Sequence, residues 1–250
     1  MVGTAPVKAA SGAGSRGPKS GTEELPIFPL SIVALPCADV PLQIFEARLE
    51  DGLVNPDKPW CGSRRFGMAF YDPKSQGLAS VGTLLEIKEH ARLEDGRLMV
   101  QNIGRERFRI KKVVEERPVL VCEVEYLPTE EKEAFTEEVH KLAGEVAQLF
   151  RSVVGLAVRI RDATLSQELA DPAQLTELDP PQMSFWVASL FSGNPYQQQA
   201  LLEMDSTEER LKEEKELLSG TLKFLSAQAA LQGAFKTGSG SIDEPTGGPD

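Results

Sequence analysis

What this chain has little of narrows its chemistry before any motif is read. Its 250 residues hold three cysteines and two histidines. Cys37, Cys61 and Cys122 are too few and too scattered for a disulfide scaffold, and the odd count fits reduced thiols. No Cys-x-x-Cys pair occurs and the cysteine spacing matches no zinc site, so neither a metal nor any other cofactor is expected. His140 falls off the apolar stripe of its helical segment, and His90 sits beside Glu89 in a strand segment. Both read as solvated surface, and neither has the fixed partner that a Ser–His or Cys–His nucleophile needs. No apolar run approaches the roughly 18 residues of a membrane span. Basic residues are in the minority, 27 against 38 acids, and the formal charge of −11 makes general phosphate-backbone binding a poor first reading.

What is present divides the chain in four. Residues 1–22 hold five Gly, four Ala, three Ser and two Pro, with Lys8, Arg16 and Lys19 as their only charges. That composition cannot offset chain entropy by burial and reads as a disordered segment, either a transit-peptide remnant or a plain linker. Gly12, Gly14, Gly17, Lys19 and Ser20 imitate a nucleotide loop, but Pro18 displaces the lysine and no strand precedes it. Residues 23–128 read as β and residues 129–235 as helical. Residues 236–250, rich in glycine and holding three acids, read as a second disordered tail.

In the β-rich part, Arg107-Phe108-Arg109-Ile110-Lys111 alternates basic with apolar, and Leu120–Tyr126 alternates likewise. Asp95-Gly96 between two apolar stretches is a hairpin signal. Ile27-Phe28, Ile32–Leu35 and Leu42–Phe45 are short apolar pieces cut by prolines, and with Arg65–Tyr71 and Thr83–Lys88 they make about six strands. After Pro128 the period changes. Phe135, Val139, Leu142, Val146, Leu149, Phe150 and Val153 step by three and four, which predicts an amphipathic helix. Asp179-Pro180-Pro181 opens a helix ending at Gly193, Asn194-Pro195 opens a short one, and Ser206 with Glu209 caps a long one closed by Gly233. Strands first and helices second make an α+β fold.

Leu25-Pro26-Ile27-Phe28-Pro29-Leu30, then Pro41–Arg48, resembles the opening of the Lon protease N-terminal, substrate-binding domain family. The likeness continues through Val81-Gly82-Thr83, Asp95-Gly96-Arg97-Leu98 and Gly104–Ile110, and through Gln198–Glu203 and Glu209-Arg210-Leu211, covering about residues 24–232. It implies a PUA-like β-barrel subdomain followed by a helical bundle. It also implies a non-catalytic module that binds polypeptide clients, or a protease or chaperone partner, in protein quality control or as an adaptor. The nucleotide loop and serine–lysine dyad of Lon proteases do not occur in these residues, so a free-standing Lon-domain protein without ATPase or protease activity is expected. Such proteins, together with the composition of residues 1–22, favour a chloroplast, with cytoplasm or mitochondrion as alternatives.

Four residues are singled out for binding: Phe45 and Arg48 in the first motif, Arg105 and Phe108 in the second. The crevice between barrel and bundle is their expected place. Core packing is the plainer role for Phe45 and Phe108. The row Arg105, Arg107, Arg109 and Lys111 is expected on one solvated barrel face beside acids such as Glu115, Glu116, Glu123 and Glu125. A scaffold role, or RNA binding through that row, are the alternative functions, though no aromatics interleave for base stacking.

Overall fold

The computed structural model describes residues 22–44, 64–93, 98–117, 119–128, 132–161, 175, 177–191 and 193–238. Six strands come first: β1 (Thr22–Leu30), β2 (Asp39–Ile44), β3 (Arg65–Asp72), β4 (Gly77–Arg92), β5 (Leu98–Glu115) and β6 (Val121–Tyr126). A 3-10 turn at Lys132–Phe135 leads into helices α1 (Glu137–Arg161), α2 (Pro180–Ser189), α3 (Pro195–Glu203) and α4 (Thr207–Gly238).

The strand pairings return to their start. β5 pairs β4, β4 pairs β3, β3 runs parallel to β1, β1 pairs β6, and β6 pairs the second half of β5. β2 adds to the first half of β5, from Asp39 opposite Ile103 to Ile44 opposite Leu98. This cycle has the connectivity of a small barrel, and its interior is a packed core. Phe108 is wholly buried there among Leu25, Ile27, Ala69, Leu84, Cys122 and Val124. Gly82 leaves it room, since a Cβ at that position would stand 2.6 Å from the Phe108 ring. A second cluster under β2 joins Phe28 and Phe66 edge to face, with centroids 4.8 Å apart.

Several boundaries differ from the sequence reading. The pieces Thr83–Lys88 and Ala91–Leu93 fall largely within one 16-residue strand, and Leu98–Val100 and Arg107–Lys111 belong to one of 18. The Asp95-Gly96 turn lies outside the described residues, which pair antiparallel on either side of it up to Arg92 opposite Leu98. Ile32–Leu35 is not a strand. It crosses the barrel as a loop, with the Ala34 carbonyl accepting from Thr83 Oγ1 at 2.7 Å and Gly104 N donating to Ala38 O at 2.9 Å. A Cβ on Gly104 would collide with the Leu35 carbonyl, so the glycine of the second motif admits this loop.

The expected caps are in place: Asp179 accepts from Gln182 N, Asn194 from Gln197 N and Ser206 Oγ from Glu209 N. Helix ends moved further. α2 stops at Ser189, with Leu190 as its C-cap, rather than at Gly193. α4 continues through Gly233 to Gly238, because one interior glycine costs only about 1 kcal/mol and no proline intervenes.

α1 and α4 run side by side in the same direction. Pro128, before α1, and Met204, before α4, are held by the same arginine. Eight residues into each helix, Lys215 Nζ meets Glu145 Oε2 at 2.7 Å. Val139, Val146, Phe150, Met183, Val187, Leu211 and Leu218 form their core with α2.

Candidate functional site

Where a crevice between barrel and helices is expected, the described residues include an apolar seam. Leu35, Ala38 and Val81 from the barrel side pack with Phe185, Ala188, Leu201 and Leu202 of the helices. Arg107 enters this seam at 2% exposure. Its Nη1 donates to the carbonyls of Leu202 (2.9 Å) and Met204 (2.8 Å), its Nη2 to Pro128 O (3.2 Å), and Asp205 Oδ1 lies 3.4 Å away. Leu202 and Met204 close the C-terminus of α3, where carbonyls lack helical partners and the helix dipole is negative, so a guanidinium is the fitting cap.

Arg107 also lies 5.3 Å from the Phe185 ring, which carries a second guanidinium, Arg210, at 3.7 Å. Arg210 donates to Ser184 Oγ (2.7 Å), Met204 O (2.9 Å) and Thr207 Oγ1 (3.1 Å). One turn along α4, Glu214 is wholly buried and neither carboxyl oxygen has a hydrogen bond. Burial pushes its pKa well above the carboxylate range, against the opposing pull of the Arg210 charge.

The structure describes two of the four singled-out residues. Phe45 and Arg48 lie outside the described residues. Arg105 is partly exposed and its Nε donates to Glu86 Oε2 at 2.7 Å. Burial alone would raise the Glu86 pKa, but hydrogen bonds from Arg105 and Lys88 hold it below its ordinary value. Phe108 points the other way, into the barrel core, so these two do not form one site. Arg107 is the correction. Alternation puts it opposite Phe108, on the outer face as expected, but that face is roofed by the helices rather than solvated. The rest of the row is matched by acids, with Arg109 4.0 Å from Asp205 and Lys111 2.9 Å from Glu125, and the neighbouring Lys112 lies 2.9 Å from Glu123. A strand so paired offers little to a phosphate backbone.

Cys37, in the loop beside Gly104, has a φ of 62°, and burial with the Asp179 charge pushes its thiol up to about 11, so it is unreactive near neutrality. Cys61 lies outside the described residues. His90 and His140 are both exposed, and among the described residues no three His, Cys, Asp or Glu side chains converge as a metal site. Sequence reasoning missed Arg210, Phe185 and Glu214. Its available signal was that Thr207, Arg210, Leu211, Glu214 and Leu218 share one helical stripe, placing two charges among core positions.

The second feature is an arm. Phe150 on α1 and Leu218 on α4 are the last buried residues of their helices, among those whose side chains are described. Beyond them the helices continue to Arg161 and Gly238, with Phe224 69% and Leu231 62% exposed.

The family described as the ATP-dependent protease La (LON) substrate-binding domain matches residues 24–220, which include the barrel, the seam and the base of the arm. The chain belongs to this family. Lon protease of Brevibacillus choshinensis is 24% identical over 202 residues, 78% of this chain and 24% of that protein. Lon protease of Trichlorobacter lovleyi is 26% identical over 227 residues, covering 86% of this chain and 26% of its own length. The chain thus spans about a quarter of the Lon proteases it matches. Among solved structures, the N-terminal domain of the Mycobacterium avium complex Lon protease superposes with a TM-score of 0.60 at 20% identity, covering 79% of this chain and 98% of that one. The Lon N-terminal domain protein from Xanthomonas campestris gives 0.52 at 25% identity, covering 76% and 96%. The Lon-domain fold is therefore shared well beyond sequence identity.

Proposed function

We propose that this chain is a non-catalytic polypeptide-binding module acting in protein quality control, as a client receptor or as an adaptor for a protease or chaperone. The observation that carries the reading is the substrate-binding domain match over residues 24–220. The geometry supports it by what surrounds that match. The described core residues of the barrel and the seam pack on one another, and the reading places the partner on the outer surface. The exposed surface has large apolar side chains but, among the described residues, no cluster suited to a metal. The reading extends to a plastid setting on the composition of residues 1–22 alone, and import of a fluorescent fusion of that segment into isolated plastids tests it.

The test is a titration of the full-length protein with one labelled model client, permanently unfolded by reduction and carboxymethylation, and with the same protein native. Binding of the unfolded form only, with no turnover of ATP or casein, is expected. Absence of binding to the unfolded form, or RNA retention that weakens steeply with salt, overturns the reading.

A further inference from the structure

The arm is both apolar and acid-free. On α4 the stripe Leu218, Leu222, Leu225 and Ala229 is buried or half-buried, while Phe224, Ala227 and Leu231 form a second stripe on the exposed side. Residues 147–161 of α1 and 217–238 of α4 contain Arg151, Arg159, Arg161, Lys223 and Lys236 and not one Asp or Glu. The bases of the same helices are the opposite. Residues 137–146 and 207–216 hold Glu137, Glu138, Glu145, Glu208, Glu209, Glu213, Glu214 and Glu216 against Lys141, Arg210, Lys212 and Lys215, a net charge of −4. The chain carries −11 and the arm five positive charges, so everything else sums to −16. From Ser219 to Gly238 the helix rises about 30 Å. That is roughly three to four Debye lengths at physiological salt, so the glutamates at the base are screened from the far end of the arm.

We propose that the arm is a docking surface for polypeptide segments in which apolar residues are flanked by acids. Phe224 and Leu231 receive the apolar side chains, and the exposed Lys223 and Arg159 receive the carboxylates. This rests on the polypeptide-binding reading and names its client class. Charge decides between occupants. A second copy would bring an equally cationic arm, and an anionic lipid surface would meet the glutamates at the arm's base and the negative body behind them. A flexible acidic segment can follow the arm alone.

Anisotropy with the full-length protein tests this, using three labelled peptides of equal length. One mixes Leu and Phe with Asp and Glu, the second replaces the acids by Lys, and the third replaces the apolar residues by Ser. The first should bind about tenfold tighter than either of the others. The double variant Lys223→Glu, Arg159→Glu should transfer the preference to the lysine peptide. Phe224→Ser with Leu231→Ser should reduce the first peptide to the level of the third. Unchanged circular dichroism and Tm show that both variants remain folded. A preference unmoved by charge reversal, flotation with phosphatidylserine vesicles that depends on Phe224 and Leu231, or a dimer abolished by the same serine variant overturns the proposal. If the unfolded model client binds wild type and serine variant equally, the arm is wrong and the polypeptide-binding reading stands. If wild type binds no unfolded client, that reading falls first.

Discussion

At the residue scale, Glu214 and Asp72 pull stability in opposite directions with pH. Glu214 is buried without hydrogen bonds and its folded pKa lies above its unfolded one, so the folded state holds the proton longer. Stability should fall as pH rises from the ordinary carboxylate range toward that raised value. Glu214→Gln cannot ionise, and its Tm should vary less between pH 5 and pH 8 than the wild type's; an equal slope would show that another group is responsible. Asp72 is the reverse. Hydrogen bonds from Ser75, from Tyr196 and from the Lys74 backbone hold it down at about 2. Its contribution is present above the ordinary Asp value and is lost as pH falls toward 2, so Asp72→Asn should show a shallower loss of Tm between pH 5 and pH 2. At Phe108 the sequence was sufficient. Its period-2 placement pointed inward, and truncation to Ala in the barrel core should lower unfolding free energy by about 3–5 kcal/mol in urea titration. Arg107 was legible only by half, because alternation gives the face of a strand but not what lies over it.

At the scale of elements, starts were easier to read than ends. Asp179, Asn194 and Ser206 cap as expected because a cap is a local interaction, written in neighbouring residues. The extent of α4 past Gly233 and the loop character of Ile32–Leu35 depend on packing that is remote in sequence, such as Ala34 against Thr83. The same remoteness hides the α3 terminus, whose carbonyls are capped from a barrel strand some 95 residues earlier. Removing Arg107 should therefore cost far more than removing its neighbour. Arg107→Ala leaves the Leu202 and Pro128 carbonyls without their guanidinium donor while Met204 keeps Arg210, a loss of about 1–3 kcal/mol for each stranded acceptor. Arg109→Ala gives up one exposed contact at 4.0 Å and should cost less than about 1 kcal/mol. Chemical denaturation of the two variants side by side checks this, and equal losses would mean that the seam does not depend on the guanidinium.

At the scale of the whole molecule, the barrel and the helices share a core. Val81 of the barrel and Phe185, Ala188, Leu201 and Leu202 of the helices lie in one cluster, and Gln199 Nε2 donates across the seam to Val81 O at 3.0 Å. The change from period two to period three-and-four near Pro128 marks where strand formation stops, and the shared core predicts that it is not a boundary between independently stable parts. A barrel cut away there would expose the apolar side chains of the seam to water and leave the buried Arg107 without its acceptors. Each buried leucine or phenylalanine so exposed forfeits roughly 1.5–3 kcal/mol, against a total stability of about 5–15 kcal/mol for a domain. The full chain should accordingly melt in one calorimetric transition, with van't Hoff and calorimetric enthalpies equal. Residues 22–128 expressed alone should lack the dispersed amide spectrum of a folded barrel. Two resolved transitions, or a well-dispersed spectrum from the isolated segment, would show that the seam is a contact between two self-sufficient units and that the cost assigned to Arg107 belongs to their docking rather than to folding.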